Sequence, residues 1–156
     1  MKLRLALLLV LLNIVVVAWR VHAHPDPAPP TAATTDDLAL RACALDYIEG
    51  WYTGDAARME RALHPELAKR IVMTDTKTGR STLQQMGALT LINSTRAGYG
   101  TKTPADKRRA EVTVLDRYNH AAVVKVIASD WVDYLEMAQV EGQWKIVNVL
   151  WELNPK

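Results

Sequence analysis

The chain has 156 residues, of which 49% are hydrophobic and 23% charged, and its formal net charge is +2. This balance excludes a disordered chain, a collagen-like chain and a protein with many membrane spans, and the length is that of one domain. The first 23 residues hold three of the 19 basic residues and no acidic one, so the rest of the chain is close to neutral. We therefore expect no nucleic-acid partner. The single cysteine excludes an internal disulfide and a cysteine-based zinc site.

Residues 1–23 have the pattern of a secretory signal peptide. Lys2 and Arg4 precede an apolar run that is shorter than the ~20 residues of a membrane span. Val21 and Ala23 are small enough for a signal-peptidase site, which predicts cleavage after Ala23 and a periplasmic or secreted protein. An uncleaved signal would instead hold the protein at a membrane.

Residues 24–36 are rich in proline and alanine and contain no large apolar side chain, which predicts a flexible tether before a folded domain at residues 37–156. The first helix is predicted from about residue 38 to 52, with the polar residues 35–37 capping its start. Gly54 is expected to end this helix.

Two further helices are expected before residue 100. Asp55 is predicted to cap a helix over residues 56–63, after which residues 66–70 form a short turn and residues 71–74 an apolar strand. A polar turn follows at residues 75–80. Ser81 and Gln84 have the spacing of a capping box, which predicts a third helix from residue 82 to about 96. Its buried face is expected to carry five side chains, namely Leu83, Met86, Leu89, Thr90 and Asn93.

From Ala110 onward β-branched and aromatic residues dominate, which predicts a meander of four antiparallel strands. The strands are expected at residues 110–118, 121–130, 131–141 and 143–153, with turns at Asn119-His120 and Glu141-Gly142. Alternation along the last strand places Trp144, Ile146 and Leu150 on one face and Val147, Val149 and Trp151 on the other. A strand that is apolar on both faces is covered on both. We therefore expect a homodimer through the outer face of the sheet.

Three sequence features together resemble a known family. They are DYIEGWYTGDAARMERALHPELAKR near the start, DYLEMAQVEGQWKIVNVLW near the end, and the order of helices and strands between them. With these features, residues 36 to 153 resemble the nuclear transport factor 2-like superfamily, and within it the putative lumazine-binding family, close to SnoaL-like proteins. The resemblance implies an α+β cone in which three N-terminal helices pack into a curved antiparallel β-meander.

The cone predicts an internal pocket, which the faces of the helices and strands would line with aromatic, methionine and a few polar side chains. The candidates for ligand binding are Tyr47, Trp51, Met73, Met86, Trp131, Tyr134, Glu136 and Asn148. Such a wall suits a small hydrophobic or planar molecule. We therefore predict an exported small-molecule-binding protein without catalysis, cofactor or metal. A structural dimer with a filled cone is one alternative.

An enzyme is the other alternative. Ketosteroid isomerase shares the superfamily fold, and it combines an aspartate base with a tyrosine and a protonated acid. In this chain Asp75 and Tyr47 would take the first two roles, and Asp130 or Asp133 the third. A pair formed by His64 with Glu66 or Asp55 is a second arrangement. An enzyme of the first kind requires a buried, unpaired carboxylate within hydrogen-bond reach of Tyr47.

Overall fold

The computed structural model describes residues 34–155, so the predicted signal peptide and most of the predicted tether lie outside the described residues. The elements in chain order are α1 (Thr35–Thr53), α2 (Ala56–Ala62), β1 (Leu63–Thr74), β2 (Ser81–Gly87), α3 (Ala88–Arg96), β3 (Glu111–Tyr118), β4 (Ala121–Ile127), β5 (Trp131–Val140) and β6 (Gln143–Leu153). Two short 3-10 turns, Tyr99–Lys102 and Ala105–Lys107, connect α3 to β3. None of the helices within residues 34–155 has the length and apolar character needed to cross a membrane.

Helix α1 begins three residues earlier than expected. Thr34, rather than residues 35–37, is its N-cap: the Thr34 hydroxyl accepts a hydrogen bond from the Asp37 amide, and the Asp37 carboxylate accepts one from the Thr34 amide. This reciprocal pair satisfies two backbone donors that the first turn would otherwise leave unpaired. Gly54 ends the helix in the left-handed conformation (φ 71°), and Asp55 caps α2 as predicted.

Six strands form one sheet in the order β2-β1-β6-β5-β4-β3. The meander from β3 to β6 is antiparallel, as expected, and its turns contain Asn119 and Glu141, both with positive φ. Strand β1 pairs with β6 in parallel and with β2 in antiparallel orientation. The curved sheet packs against α1, whose buried side chains Leu40, Ala44, Tyr47, Ile48 and Tyr52 join the core.

The segment between α2 and α3 differs most from the prediction. Residues 66–70, expected as a turn, belong to β1, and residues 81–87, expected as the start of the third helix, form β2. The predicted capping box at Ser81 is therefore wrong, and α3 begins only at Ala88. Hairpin pairing between β1 and β2 satisfies the backbone groups of residues that have little β-propensity of their own. The buried face of α3 consists of Ala88, Leu91, Ile92 and Thr95.

A β-bulge in β6 changes which side chains face the interior. Glu136 of β5 pairs with Asn148, but the next residue, Met137, pairs with Ile146, so Val147 is the extra residue. A bulge of this kind shifts the inward and outward alternation by one position. Trp144 and Ile146 therefore share the buried side with Val149, whereas Leu150 is 51% exposed. The predicted grouping of Leu150 with Trp144 and Ile146 on one face is wrong for this reason.

Candidate functional site

A cavity of about 410 Å³ lies inside the cone, so the interior is not completely filled. Helices α1 to α3 and their connections supply one side of its wall, and the inner face of the sheet supplies the other. The lining is predominantly apolar and consists of Tyr47, Trp51, Met59, Lys69, Met86, Leu91, Ser94, Tyr99, Asp130, Trp131, Trp151 and Leu153. This volume falls in the range of about 300–1,000 Å³ that is usual for small-molecule sites.

At this wall, four side chains form a closed polar network centred on Asp133. Lys69 Nζ donates to Asp133 Oδ1 at 2.5 Å and to Tyr47 Oη at 2.7 Å. Tyr47 Oη and Trp131 Nε1 both donate to Asp133 Oδ2, at 3.1 and 2.6 Å. Asp133 itself does not line the cavity, whereas its three partners do. The three groups that donate hydrogen bonds to Asp133 therefore border the cavity, and Asp133, their shared acceptor, lies behind them.

Strand alternation places the network on the inner face. Lys69 lies between the buried residues Leu67 and Ile71 in β1, and Asp133 lies between Trp131 and the buried Leu135 in β5. Side chains two residues apart on a strand point to the same face, so both charges are directed into the core. Burial of either charge alone would cost several kcal/mol, and each is retained because the other compensates it.

Two of the network groups have displaced pKa values. Burial lowers the pKa of Lys69, and the Asp133 carboxylate opposes that shift. Burial raises the pKa of Tyr47 well above its usual value, and the charge of Asp133 raises it further. The phenol is thus held in its protonated, hydrogen-bond-donating form, and Lys69 loses its proton more readily than an exposed lysine.

Aromatic rings make up much of the remaining wall. Trp131 contacts Trp151 edge to face, with ring centroids 6.5 Å apart, and it also lies 6.2 Å from the ring of Tyr52. The ammonium of Lys69 lies 4.7 Å from the centre of the Trp151 ring. Flat apolar walls of this kind favour a ring-shaped ligand, and a cation over an indole adds electrostatic attraction.

Four of the eight predicted binding residues lie on the cavity wall, namely Tyr47, Trp51, Met86 and Trp131. Met86 reaches the wall from β2, where it pairs with Lys69, rather than from the predicted third helix. Whether these residues contact a ligand stays a prediction.

The other four predicted binding residues lie away from the cavity. Met73 is 39% exposed near the tip of the β1–β2 hairpin. Tyr134 and Glu136 point outward from β5 because they alternate with Asp133 and Leu135. The bulge directs Asn148 outward as well, where its side-chain amide donates to Glu136 at 3.0 Å. Their predicted placement inside the cone is therefore wrong.

The two acid–base arrangements predicted from the sequence are not assembled. Asp75 lies in an exposed turn, where hydrogen bonds from the amides of Thr78 and Lys77 lower the pKa of its carboxyl. His64 Nδ1 accepts a hydrogen bond from the backbone amide of Glu66, and the Asp55 carboxylate accepts one from the amide of Arg58, so neither bond joins a carboxylate to this imidazole. Within residues 34–155, no group of three or more His, Cys, Asp or Glu side chains is placed to hold a metal ion.

The sequence interpretation missed Lys69 and Trp151 as cavity residues and considered Asp133 only as a secondary acid. Leu67, Lys69 and Ile71 have the two-residue spacing of one strand face, but Ala68 and Val72 on the other face are apolar as well, so the pattern does not mark Lys69 as buried. Trp151 was placed on the opposite side of β6, because the bulge at Val147 has no clear signature in the sequence.

The model of a family described as putative lumazine-binding matches residues 35–152. No curated protein sequence matches the chain. Among solved structures, an NTF2-like protein of unknown function from Shewanella baltica OS155 is similar, with 18% identity, a TM-score of 0.61, and coverage of 81% of this chain and 100% of that chain.

Two further solved structures share this architecture. An NTF2-like protein of unknown function from Silicibacter pomeroyi DSS-3 has 17% identity and a TM-score of 0.56, covering 78% of this chain and 99% of that chain. A ketosteroid isomerase-like protein from Erwinia carotovora atroseptica SCRI1043 has 11% identity and a TM-score of 0.54, covering 79% and 99%. At these identities the similarity establishes the fold, which is the cone predicted from the sequence.

Proposed function

Because the chain belongs to the putative lumazine-binding family, we propose that it binds a small, planar, uncharged ring compound in the cavity beneath α1. The observation that carries this proposal is the combination of a 410 Å³ apolar cavity with a wall of tryptophan rings and a polar network that is already satisfied. Aromatic walls with a few fixed donors are typical of sites for flat molecules.

The charges of the network favour an uncharged ligand. Lys69 and Asp133 neutralise each other, so a charged ligand would bring an additional uncompensated charge into an apolar cavity. Asp130 adds negative charge to the lining and disfavours anions in particular. The third proton of Lys69 Nζ, which neither Asp133 nor Tyr47 accepts, suits a ligand with a carbonyl or ring-nitrogen acceptor.

Binding without catalysis has more support than acid–base chemistry. Asp133 is buried and within reach of Tyr47, but both of its oxygens accept hydrogen bonds from other side chains. A general base must reach the proton that it removes. Asp133 is separated from the cavity by its own partners and does not satisfy the requirement for an unpaired carboxylate.

Calorimetric titration with lumazine tests the proposal, with 2-naphthoate as a charged planar comparison. We expect lumazine to bind and 2-naphthoate to bind weakly or not at all. Trp131→Ala should weaken lumazine binding by at least about tenfold, or about 1.4 kcal/mol, because it removes one aromatic wall. Tyr134→Ala is the matched control: it removes a ring from the outer face of the same strand and should leave affinity unchanged.

Two results would contradict the proposal. Preferential binding of 2-naphthoate would show that the cavity selects charge. Absence of binding by both compounds, together with no small molecule retained in native mass spectrometry of the protein from its own host, would favour the structural protein with an unused cavity.

We also propose a homodimer through the outer face of the sheet. The bulge turns Val149 and Trp151 inward and so removes part of the apolar surface expected on this face, but Leu150 and Tyr134 remain exposed there next to each other. Arg70 and Glu136 supply opposite charges on it, which a two-fold axis can pair across an interface. Leu150→Arg should convert a dimer to a monomer in light scattering, and a monomeric parent protein would disprove the interface.

Export is the remaining proposal, and it rests on residues 1–23 alone. Expression of the full chain with its leader, followed by cell fractionation and intact mass measurement, should give an extracytoplasmic protein that begins at His24. A cytoplasmic protein of full mass would contradict export, and a membrane-bound protein of full mass would indicate an uncleaved anchor.

A further inference from the structure

Lys69 brings an amine to a cavity wall that is predominantly apolar. Its side chain is 7% exposed, and its Nζ lies 4.7 Å from the Trp151 ring centre and 5.4 Å from that of Tyr47. No other lysine of residues 34–155 lines the cavity. An amine in such surroundings is largely shielded from bulk water.

The neighbours of Lys69 are those needed to activate an amine. Asp133 Oδ1, at 2.5 Å, is placed to take a proton from the ammonium, and burial lowers the pKa of Lys69, which favours the neutral nucleophile. Tyr47 Oη, at 2.7 Å, is held protonated and donates to Asp133 Oδ2, so it passes its proton to an oxygen that develops next to Nζ only as Asp133, having taken the ammonium proton, returns one to it. Donor and acceptor thus both lie within hydrogen-bond distance of one nitrogen.

We infer that Lys69 condenses with the carbonyl group of an aldehyde or ketone held in the cavity and forms a protonated Schiff base, with Asp133 as its counter-ion. The new bond joins Nζ to the carbonyl carbon, and the carbon–oxygen bond breaks. Two of the three ammonium protons leave with the oxygen as water, by way of Asp133 and Tyr47, and the third stays on nitrogen. No oxidant or reductant is needed.

The charge of the buried site is the same before and after this reaction. An ammonium pairs with Asp133 at the start and an iminium pairs with it at the end, so no charge is left uncompensated in the apolar interior. Asp130, also on the cavity lining, adds to the negative potential that favours the iminium. The salt bridge between Lys69 and Asp133 is therefore compatible with covalent chemistry at Lys69.

This inference rests on the proposed function, since it takes the cavity to be a ligand site. The test treats the full-length protein with one equivalent of 2-naphthaldehyde, reduces it with sodium borohydride and maps the modified lysines by mass spectrometry. Lys125 is the internal comparison, because its Nζ also lies over an aromatic ring, 5.7 Å from the centre of Tyr134, but on the outer face. We expect Lys69 to carry at least about tenfold more label than Lys125.

Two variants make the assignment specific. Lys69→Arg keeps a cation beside Asp133 but cannot form a Schiff base, and it should lose the main adduct, whereas Lys125→Arg should retain it. Label spread over exposed lysines with Lys69 unmodified in the unaltered protein would overturn the inference, whether or not Lys69→Arg folds. If lumazine bound in that case, the proposed binding function would stand without the covalent step.

Discussion

Lys69 and Asp133 form a salt bridge of 2.5 Å between two strands that are not neighbours in the sheet. They are 64 residues apart in the sequence, and β6 lies between their strands. The Trp151 side chain of β6 lies under the ammonium of Lys69, and its ring centre is 4.7 Å from Nζ. The contact joins β1 to the meander through the interior and brings a charge pair to the edge of the cavity.

Loss of one partner of this pair should destabilise the fold strongly. Asp133→Asn leaves the Lys69 ammonium without a carboxylate in an apolar interior, and we expect the free energy of unfolding to fall by about 3–5 kcal/mol. The double variant Lys69→Met/Asp133→Leu should cost less than the sum of the single changes. Urea denaturation of the parent protein, Lys69→Met, Asp133→Leu and the double variant measures this coupling.

An exposed pair provides the control. Arg117 and Asp36 approach to 3.0 Å with side chains 31% and 41% exposed, so Asp36→Asn should cost less than about 1 kcal/mol. If Asp133→Asn cost no more than Asp36→Asn, the pair between Lys69 and Asp133 would not be the buried, mutually dependent unit described above.

The stability of the protein should decrease at alkaline pH because of Cys43. Burial raises the pKa of its thiol from 9.0 to about 12, an effect that nearby Asp46 reinforces and Lys145 opposes. Between these two values the unfolded chain loses a proton that the folded chain keeps, so the free energy of unfolding falls as the pH rises. Cys43→Ala should reduce this fall, as measured by urea denaturation at neutral pH and above pH 9.0. If the free energy of unfolding fell equally with pH in the parent protein and in Cys43→Ala, Cys43 would not be the group responsible.

The orientation of α3 can be tested with two leucines of the same helix. Leu91 is 4% exposed and lines the cavity, so Leu91→Ala should lower the free energy of unfolding by about 2–5 kcal/mol. Leu89 is 71% exposed, and Leu89→Ala should change it by no more than about 0.5 kcal/mol. A larger loss of stability for Leu89→Ala than for Leu91→Ala, in thermal or chemical denaturation, would instead support the buried helix face predicted from the sequence, which includes Leu89.

Gly100 controls the position of a cavity wall. A Cβ at this residue would lie 2.2 Å from the carbonyl oxygen of Trp51 and 2.6 Å from its Cδ1, so Gly100→Ala must displace that residue. We expect a loss of about 1–3 kcal/mol in stability, and weaker binding of lumazine because Trp51 lines the cavity. Gly87→Ala is the control, since its Cβ would meet only an ordinary contact at 3.7 Å. Equal stability and equal lumazine affinity of Gly100→Ala and Gly87→Ala would contradict the close approach of Gly100 to Trp51.

Local patterns were sufficient for the meander and the first two helices. Alternating β-branched residues with turns at Asn119 and Glu141 specify antiparallel hairpins, and Asp55 and Gly54 mark helix ends by their own side-chain and backbone chemistry. In the β1–β2 hairpin the strand at residues 71–74 and the turn at 75–80 were predicted, but the first part of β1 and all of β2 were missed, because their strand character comes from pairing rather than from propensity. Of the predicted cavity residues, Tyr47 and Trp131 lie on the wall, but Tyr134 and Glu136 do not.

From the sequence alone, the resemblance of its segments to the family predicted the cone, and short-range periodicity with local turn motifs predicted the first two helices and the four-stranded meander. The tertiary structure alone decided which charges meet in the core. The bulge at Val147 reverses the faces of β6, and parallel pairing of β1 with β6 carries Lys69 towards Asp133. Both depend on register between distant strands, and a shift of one residue in register exchanges the inner and outer faces.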